Sequence, residues 1–65
     1  MKLIQSHSYE DEALVEVYGI DEGKGSVYMV DIYPKSHSHY SGMYADKSTA
    51  LDVAKAMFNN IIRNR

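Results

Sequence analysis

The strongest pattern in the sequence is a stripe of apolar residues close to its C-terminal end. The stripe follows the i, i+3, i+4, i+7 spacing that lines one face of an α-helix. Its members are Ala50, Val53, Ala54, Met57, Phe58 and Ile61. Asp46 or Ser48 can cap the start of this helix. Arg63 and Arg65 lie at its end, where cations interact favourably with the helix dipole. The pattern predicts a helix whose one apolar face must pack against another element.

The residues before the helix have the composition of β-strands. Residues 13–20 and 26–33 are rich in β-branched and aromatic side chains. Because residues 26–33 carry apolar side chains on both faces, they are expected to form a central strand. The glycines within residues 21–25 predict a hairpin between these two strands. Residues 39–45 predict a further strand, in which Gly42 marks a bulge or a close packing contact.

The segment before residue 13 has two interpretations. Leu3 and Ile4 can begin a strand, whereas the polar side chains after them fit an extended arm. Three consecutive acids at residues 10–12 favour a solvated turn. The chain therefore predicts an α+β fold in β-β-β-α order, with an antiparallel sheet of three or four strands packed on one C-terminal helix. In this single domain, residues 1–65, the arm or short strand spans 1–12, the sheet 13–45 and the helix 46–63.

The length of the chain limits how much core it can bury. Sixty-five residues leave room for one domain with a marginal core, which favours a partner subunit. Leu51 and Ile62 widen the apolar stripe of the helix, so they are predicted to mediate self-association as a homodimer. The absence of cysteine excludes disulfides and thiolate sites. The longest apolar run, residues 27–30, is far below the roughly 18 residues that span a bilayer, so a cytoplasmic protein without membrane contact is expected.

Charge is distributed unevenly along the chain. Residues 1–33 contain two bases and seven acids, for a net charge of −5, whereas residues 34–65 contain five bases and two acids, for a net charge of +3. The whole chain carries −2 and so repels nucleic-acid phosphates at long range.

Tyrosine is unusually frequent, with six copies in the chain and no tryptophan. Tyrosine combines a large contact area with a polar tip, which suits a surface that is buried in a complex and hydrated when free. We therefore expect a non-catalytic binding or regulatory module that contacts a protein partner through an acidic, tyrosine-rich surface. The predicted protein-binding residues are Glu10, Asp11, Glu12, Glu16, Tyr18, Tyr28, Tyr40 and Tyr44.

A small nucleic-acid-binding domain is the alternative. Tyr28, Tyr40 and Tyr44 on neighbouring strands could stack bases. The bases that would contact phosphates are Lys24, Lys35, Lys47 and Arg63.

The sequence contains little that suggests catalysis or metal binding. No phosphate loop, dinucleotide fingerprint, calcium loop or zinc finger can be placed on it. His37 and His39 would share one face of a strand, but a pair of histidines without a third defined ligand also fits an exposed turn. We therefore expect no enzymatic activity, no metal site and no cofactor.

The start of the helix, Asp46-Lys47-Ser48-Thr49-Ala50-Leu51-Asp52-Val53-Ala54, follows a hairpin and a further strand. This layout over residues 13–62 resembles the arm-binding domains of phage-type integrases and the second half of double-stranded-RNA-binding domains. It is also similar to HicB-like antitoxins and to small phage-encoded inhibitors. The resemblance implies a unit that binds rather than catalyses, such as an inhibitor or antitoxin-like protein of a phage or mobile element.

Overall fold

The computed structural model describes residues 1–23, 25–36 and 41–65, with only the backbone of Glu22 described. Its elements are β1 (Lys2–Tyr9), β2 (Glu12–Glu22), β3 (Gly25–Ile32), β4 (Ser41–Tyr44) and α1 (Lys47–Arg63). The four strands form one antiparallel sheet in the order β1-β2-β3-β4. The predicted α+β fold is confirmed, with four strands because the first segment is a full strand. Predictions at Lys24, His37, His39 and Tyr40 lie outside the described residues.

A tight hairpin joins β1 to β2. Tyr9 pairs with Glu12, and the two residues between them, Glu10 and Asp11, have φ angles of 51° and 66°. Positive φ at both central residues is the geometry of a type I′ turn, whose twist matches that of the flanking strands. Glu12, predicted to belong to a solvated turn, instead begins β2 because the hairpin closes in only two residues.

Two register shifts interrupt the pairing of β1 with β2. One leaves Ile4 without a paired residue, and the other leaves Leu14 unpaired. An extra residue in one strand of an antiparallel pair is a β-bulge, which locally breaks the alternation of side chains between the two faces. The consecutive residues Leu14 and Val15 are accordingly both fully buried.

The core lies between α1 and one face of the sheet. Its fully buried residues are Leu14, Val15, Val17, Val30, Ala50 and Ala54. Ala50 and Ala54 present only methyl groups, which lets the helix backbone approach the valines of β2 and β3 closely. Met57, Phe58 and Ile61 complete the helical stripe as half-buried neighbours of this core. Five of the six residues of the predicted stripe therefore lie in or against the core, and Val53 is half-buried.

Two tyrosines on this covered face lie beside glycines. A Cβ atom at position 42 would lie 2.9 Å from the Tyr44 hydroxyl oxygen, and one at position 19 would lie 3.7 Å from Cε1 of Tyr28. Gly42 thus leaves space for the ring of Tyr44. At Gly19 the nearest atom to an added Cβ would be Cδ1 of Ile4 at 2.9 Å, so this glycine leaves space chiefly for Ile4. The close packing contact predicted at Gly42 is this one, and it directs Tyr44 toward the helix.

Asp46 caps α1. Its Oδ2 accepts hydrogen bonds from the Ser48 hydroxyl at 2.7 Å, the Thr49 hydroxyl at 2.9 Å and the Thr49 backbone N–H at 3.0 Å. These bonds, with that from Ser48 the largest contribution, favour the ionised carboxylate and hold the pKa of Asp46 below its ordinary value of 3.8.

Replacing Leu14 by alanine tests the bulge. Because Leu14 is 0% exposed, Leu14→Ala should lower the free energy of unfolding by roughly 2–5 kcal/mol. Leu3→Ala removes the same atoms from a side chain that is 48% exposed, and its cost should stay within about 0.5 kcal/mol. Urea denaturation of both variants measures the difference, and equal effects would contradict the burial of Leu14.

The cap predicts a pH-dependent contribution to stability. A carboxyl whose pKa is lowered in the folded state stabilises the fold above its unfolded pKa, and this contribution disappears as the pH falls through the folded value. Asp46→Ala should therefore lower the Tm at pH 7, and the difference from the unchanged protein should shrink below about pH 3.8. Asp46→Asn keeps a cap that does not ionise. The difference in Tm between Asp46→Asn and Asp46→Ala should therefore be the same above and below the pKa of Asp46. A Tm difference between the unchanged protein and Asp46→Ala that is the same at every pH would contradict a stabilising role of the ionised Asp46.

Candidate functional site

The helix covers one face of the sheet and leaves the other face uncovered. Strand register places two neighbouring rows of side chains on this uncovered side, which we call the open face. The polar row is Ser6, Glu16, Asp31 and Ser41, and the apolar row is Leu3, Tyr18, Met29 and Met43. The next pair along β2 and β3 is Ile20 and Val27, which extends the apolar part of the open face.

Two carboxylates face each other at the centre of the polar row. Glu16 on β2 is directly paired with Asp31 on β3, and like charges in this position are destabilising in an antiparallel sheet. Both side chains are partly buried. Among the described residues, the ion pair joins Glu12 to Arg65, so neither Glu16 nor Asp31 has a cationic partner there.

Hydroxyl groups hold these two carboxylates in place. The Tyr18 hydroxyl donates a hydrogen bond of 2.7 Å to Oε1 of Glu16. The Ser41 hydroxyl donates to Oδ1 of Asp31. The hydrogen bond to Glu16 is the main cause that raises the pKa of Tyr18 above 10.0, with contributions from burial and from the charges of Glu16 and Asp31. Tyr18 therefore remains protonated at neutral pH and can keep donating to Glu16.

The apolar row beside these carboxylates reaches into solvent at both ends. Leu3 is 48% exposed and Met43 is 53% exposed, with Tyr18 and Met29 partly buried between them. A contiguous exposed apolar surface bordered by polar groups is typical of an interaction site. Methionine adds adaptability, because its unbranched side chain can repack against differently shaped partners.

The other predicted protein-binding residues do not all lie on the open face. Glu10 and Asp11 are exposed at the β1–β2 turn. Glu12 pairs with Arg65, whose guanidinium lies 5.5 Å from the centre of the Tyr9 ring.

The predicted tyrosine-rich surface is divided between the two sides of the sheet. Tyr18 lies on the open face, whereas Tyr28 and Tyr44 pack against the core beneath α1. The physical reason is the alternation of strand residues, together with the space that Gly42 provides for Tyr44 on the covered side.

The bases predicted for the alternative function are spread over the structure. Lys35 follows β3, Lys47 is the first residue of α1 and Arg63 is the last. At about 1.5 Å of rise per residue, the ends of this helix lie roughly 24 Å apart. Lys47 and Arg63 therefore do not lie next to each other.

Leu51 and Ile62, predicted to mediate self-association, are half-buried against the core of their own chain. Their packing explains why the apolar stripe of α1 is wide, since it covers parts of several strands. Self-association through them remains a prediction.

Sequence reasoning did not select Leu3, Met29, Asp31 and Met43 as members of one surface. Alternation along β3 placed Met29 with Asp31, but nothing in that pattern indicated which side the helix covers. The described residues contain no group of three His, Asp or Glu side chains arranged to hold a metal ion, and His37 and His39 lie outside them.

Comparison with protein-family models, with curated proteins and with solved structures returns no match. Within the part of the chain that the structure describes, no helix has both the length and the apolar content needed to cross a bilayer.

The Tyr18–Glu16 hydrogen bond makes a prediction about titration. Glu16→Ala removes both the acceptor and its charge, so the pKa of Tyr18 should fall toward 10.0. Asp31→Asn removes only a charge and should lower that pKa less. NMR titration of the tyrosine ring carbons measures both effects, with Asp52→Asn on the exposed side of α1 as the control. An unchanged Tyr18 titration in Glu16→Ala would show that the hydrogen bond is absent in solution.

Proposed function

We propose that this protein is a non-catalytic binding module whose open face recognises a basic, apolar-flanked surface of a partner protein. The observation that carries the proposal is the pair of facing carboxylates, Glu16 and Asp31, beside an exposed apolar row. Such a module can act as a regulator by occupying its partner, as expected of an inhibitor or antitoxin-like protein.

Electrostatics supports a cationic group as the central contact. Side chains directly opposite in an antiparallel pair have Cβ atoms about 5 Å apart, so one cation can contact both carboxylates. An arginine guanidinium has five N–H donors in a planar fork, which suits two acceptors better than a single ammonium does. Binding such a group would relieve the repulsion between Glu16 and Asp31.

The apolar row supports a protein as the source of that cation. Leu3, Met29 and Met43 offer an area that aliphatic or aromatic side chains can cover, and burying it provides the non-directional part of the binding free energy. The exposed acids Glu10 and Asp11 add negative charge at the hairpin turn. Exposed charges of this kind act chiefly by accelerating the association of a basic partner.

Nucleic-acid binding has less support from the geometry. The open face presents carboxylates where phosphates would need cations, and Tyr28 and Tyr44 pack beneath the helix rather than beside Tyr18. Lys24 and Tyr40, two further residues of that hypothesis, lie outside the described residues.

A peptide selection tests the proposal and does not require the partner to be identified first. The probe is a random-peptide library displayed on phage and selected against the immobilised protein. We expect enriched peptides to carry arginine or lysine next to apolar residues. For a synthetic peptide of the enriched sequence, the double variant Glu16→Gln/Asp31→Asn should weaken binding by about tenfold and flatten its salt dependence.

The control is Asp52→Asn, which removes one negative charge from the exposed side of the helix and should leave the affinity unchanged. Enriched peptides without basic residues, or an affinity that the double variant does not alter, would contradict the proposal. Titration with mixed-sequence DNA and RNA at low salt covers the alternative. Submicromolar nucleic-acid binding that weakens steeply with added salt would favour that alternative instead.

A further inference from the structure

We propose that the outer edge of β1 pairs antiparallel with β1 of a second copy of this chain. The sheet order β1-β2-β3-β4 places β1 at one edge, where its outer side has no strand partner among the described residues. An edge strand presents unpaired N–H and C=O groups that can hydrogen-bond to another strand. This interface uses the backbone edge of β1, whereas the proposed function uses side chains of the open face, although Leu3 and Ser6 belong to both β1 and the open face.

β1 lacks most of the features that protect edge strands from pairing. It is eight residues long, and from Leu3 to Tyr9 it contains no Lys, Arg, Asp, Glu or Pro. The bulge at Ile4 lies near its beginning, and Gln5, Ser6 and His7 after it pair regularly with β2. The strand therefore offers a regular, uncharged segment to a partner strand.

Charge complementarity identifies a second copy as the partner. Lys2 is the charged residue of β1, and Glu10 and Asp11 follow immediately after its other end. Antiparallel pairing of two identical strands reverses one relative to the other. Lys2 of each copy then lies near the acidic turn of its partner, so opposite charges meet at both ends of the pairing.

Exposed apolar side chains on β1 also favour pairing at its outer edge. Of the four large hydrophobic residues that are most exposed among the described residues, Leu3 and Tyr9 belong to β1 and Met1 precedes it. Pairing at this edge would reduce the exposure of these side chains.

The pairing defines the symmetry of the dimer. Pairing Ser6 with Ser6 of the second copy puts the two-fold axis at Ser6. Because the bulge at Ile4 adds one residue to each strand, Lys2 then lies opposite Tyr9 of the second copy, next to Glu10 in its turn. A continuous sheet with this axis has both helices on one side and both open faces on the other. Eight strands would then present two carboxylate pairs to the same side.

Charge reversal at Lys2 tests the pairing by sedimentation equilibrium over concentrations from about 10 μM to 1 mM. Because an edge contact is small, we expect a weak dimer in the micromolar range. Lys2→Glu should weaken dimerisation about tenfold, since two attractive contacts become repulsive. The double variant Lys2→Glu/Glu10→Lys should restore it, and Lys47→Glu at the start of α1 should have no effect. Thermal melts establish that each variant is folded.

Cross-linking tests the position of the axis in a chain whose sequence contains no cysteine. Ser6→Cys should form a disulfide-linked dimer on mild oxidation, whereas Ser48→Cys on the helix should not. A monomer over the whole concentration range would overturn the proposal. A dimer that is insensitive to Lys2→Glu, or one that cross-links in the Ser48→Cys variant but not in the Ser6→Cys variant, would overturn it as well.

Discussion

The fold depends on the contact between the apolar face of α1 and one face of a four-stranded sheet. Ala50 and Ala54 bring the helix onto Val17 and Val30, which lie opposite each other on the two central strands. The helix contacts all four strands, but it packs on only one of the two faces of the sheet. The opposite face is therefore left uncovered, and the outer edge of β1 has no strand partner among the described residues.

Local features of the strands adapt the rest of the chain to the contact between α1 and the sheet. The bulge at Leu14 adds a large side chain to a core otherwise formed by valines and alanines. Gly42 makes space for the ring of Tyr44, which packs against the core together with Tyr28, its directly paired neighbour. A chain of 65 residues has a total free energy of unfolding of only about 3–10 kcal/mol, so each of these additions is a large fraction of its stability.

The open face has a different character from the rest of the sheet. In the other strand pairs of the sheet, residues of like charge do not lie opposite each other. Glu16 and Asp31 are directly paired, and neither has a cationic partner among the described residues. Their hydrogen bonds from Tyr18 and Ser41 orient the carboxylates without neutralising them. Under the proposed function, a cationic group of the partner would contact both carboxylates and relieve their repulsion.

Much of this architecture could be predicted from local patterns. The period of the apolar residues indicated α1, and the preference of Asp and Ser for helix starts indicated a cap at Asp46 or Ser48. Runs of β-branched and aromatic residues indicated β2 and β3, because each of these signals depends only on nearby backbone geometry. The polar composition of β1 fits an arm as well as an edge strand, so local pattern left both interpretations open. The assignment of Glu12 to a turn was wrong, because the two-residue hairpin places it in β2. The open face could not be predicted in the same way. Both sides of β2 and β3 carry apolar side chains, so packing between distant segments determined that Tyr28 is covered by the helix while Tyr18 and Glu16 remain outside.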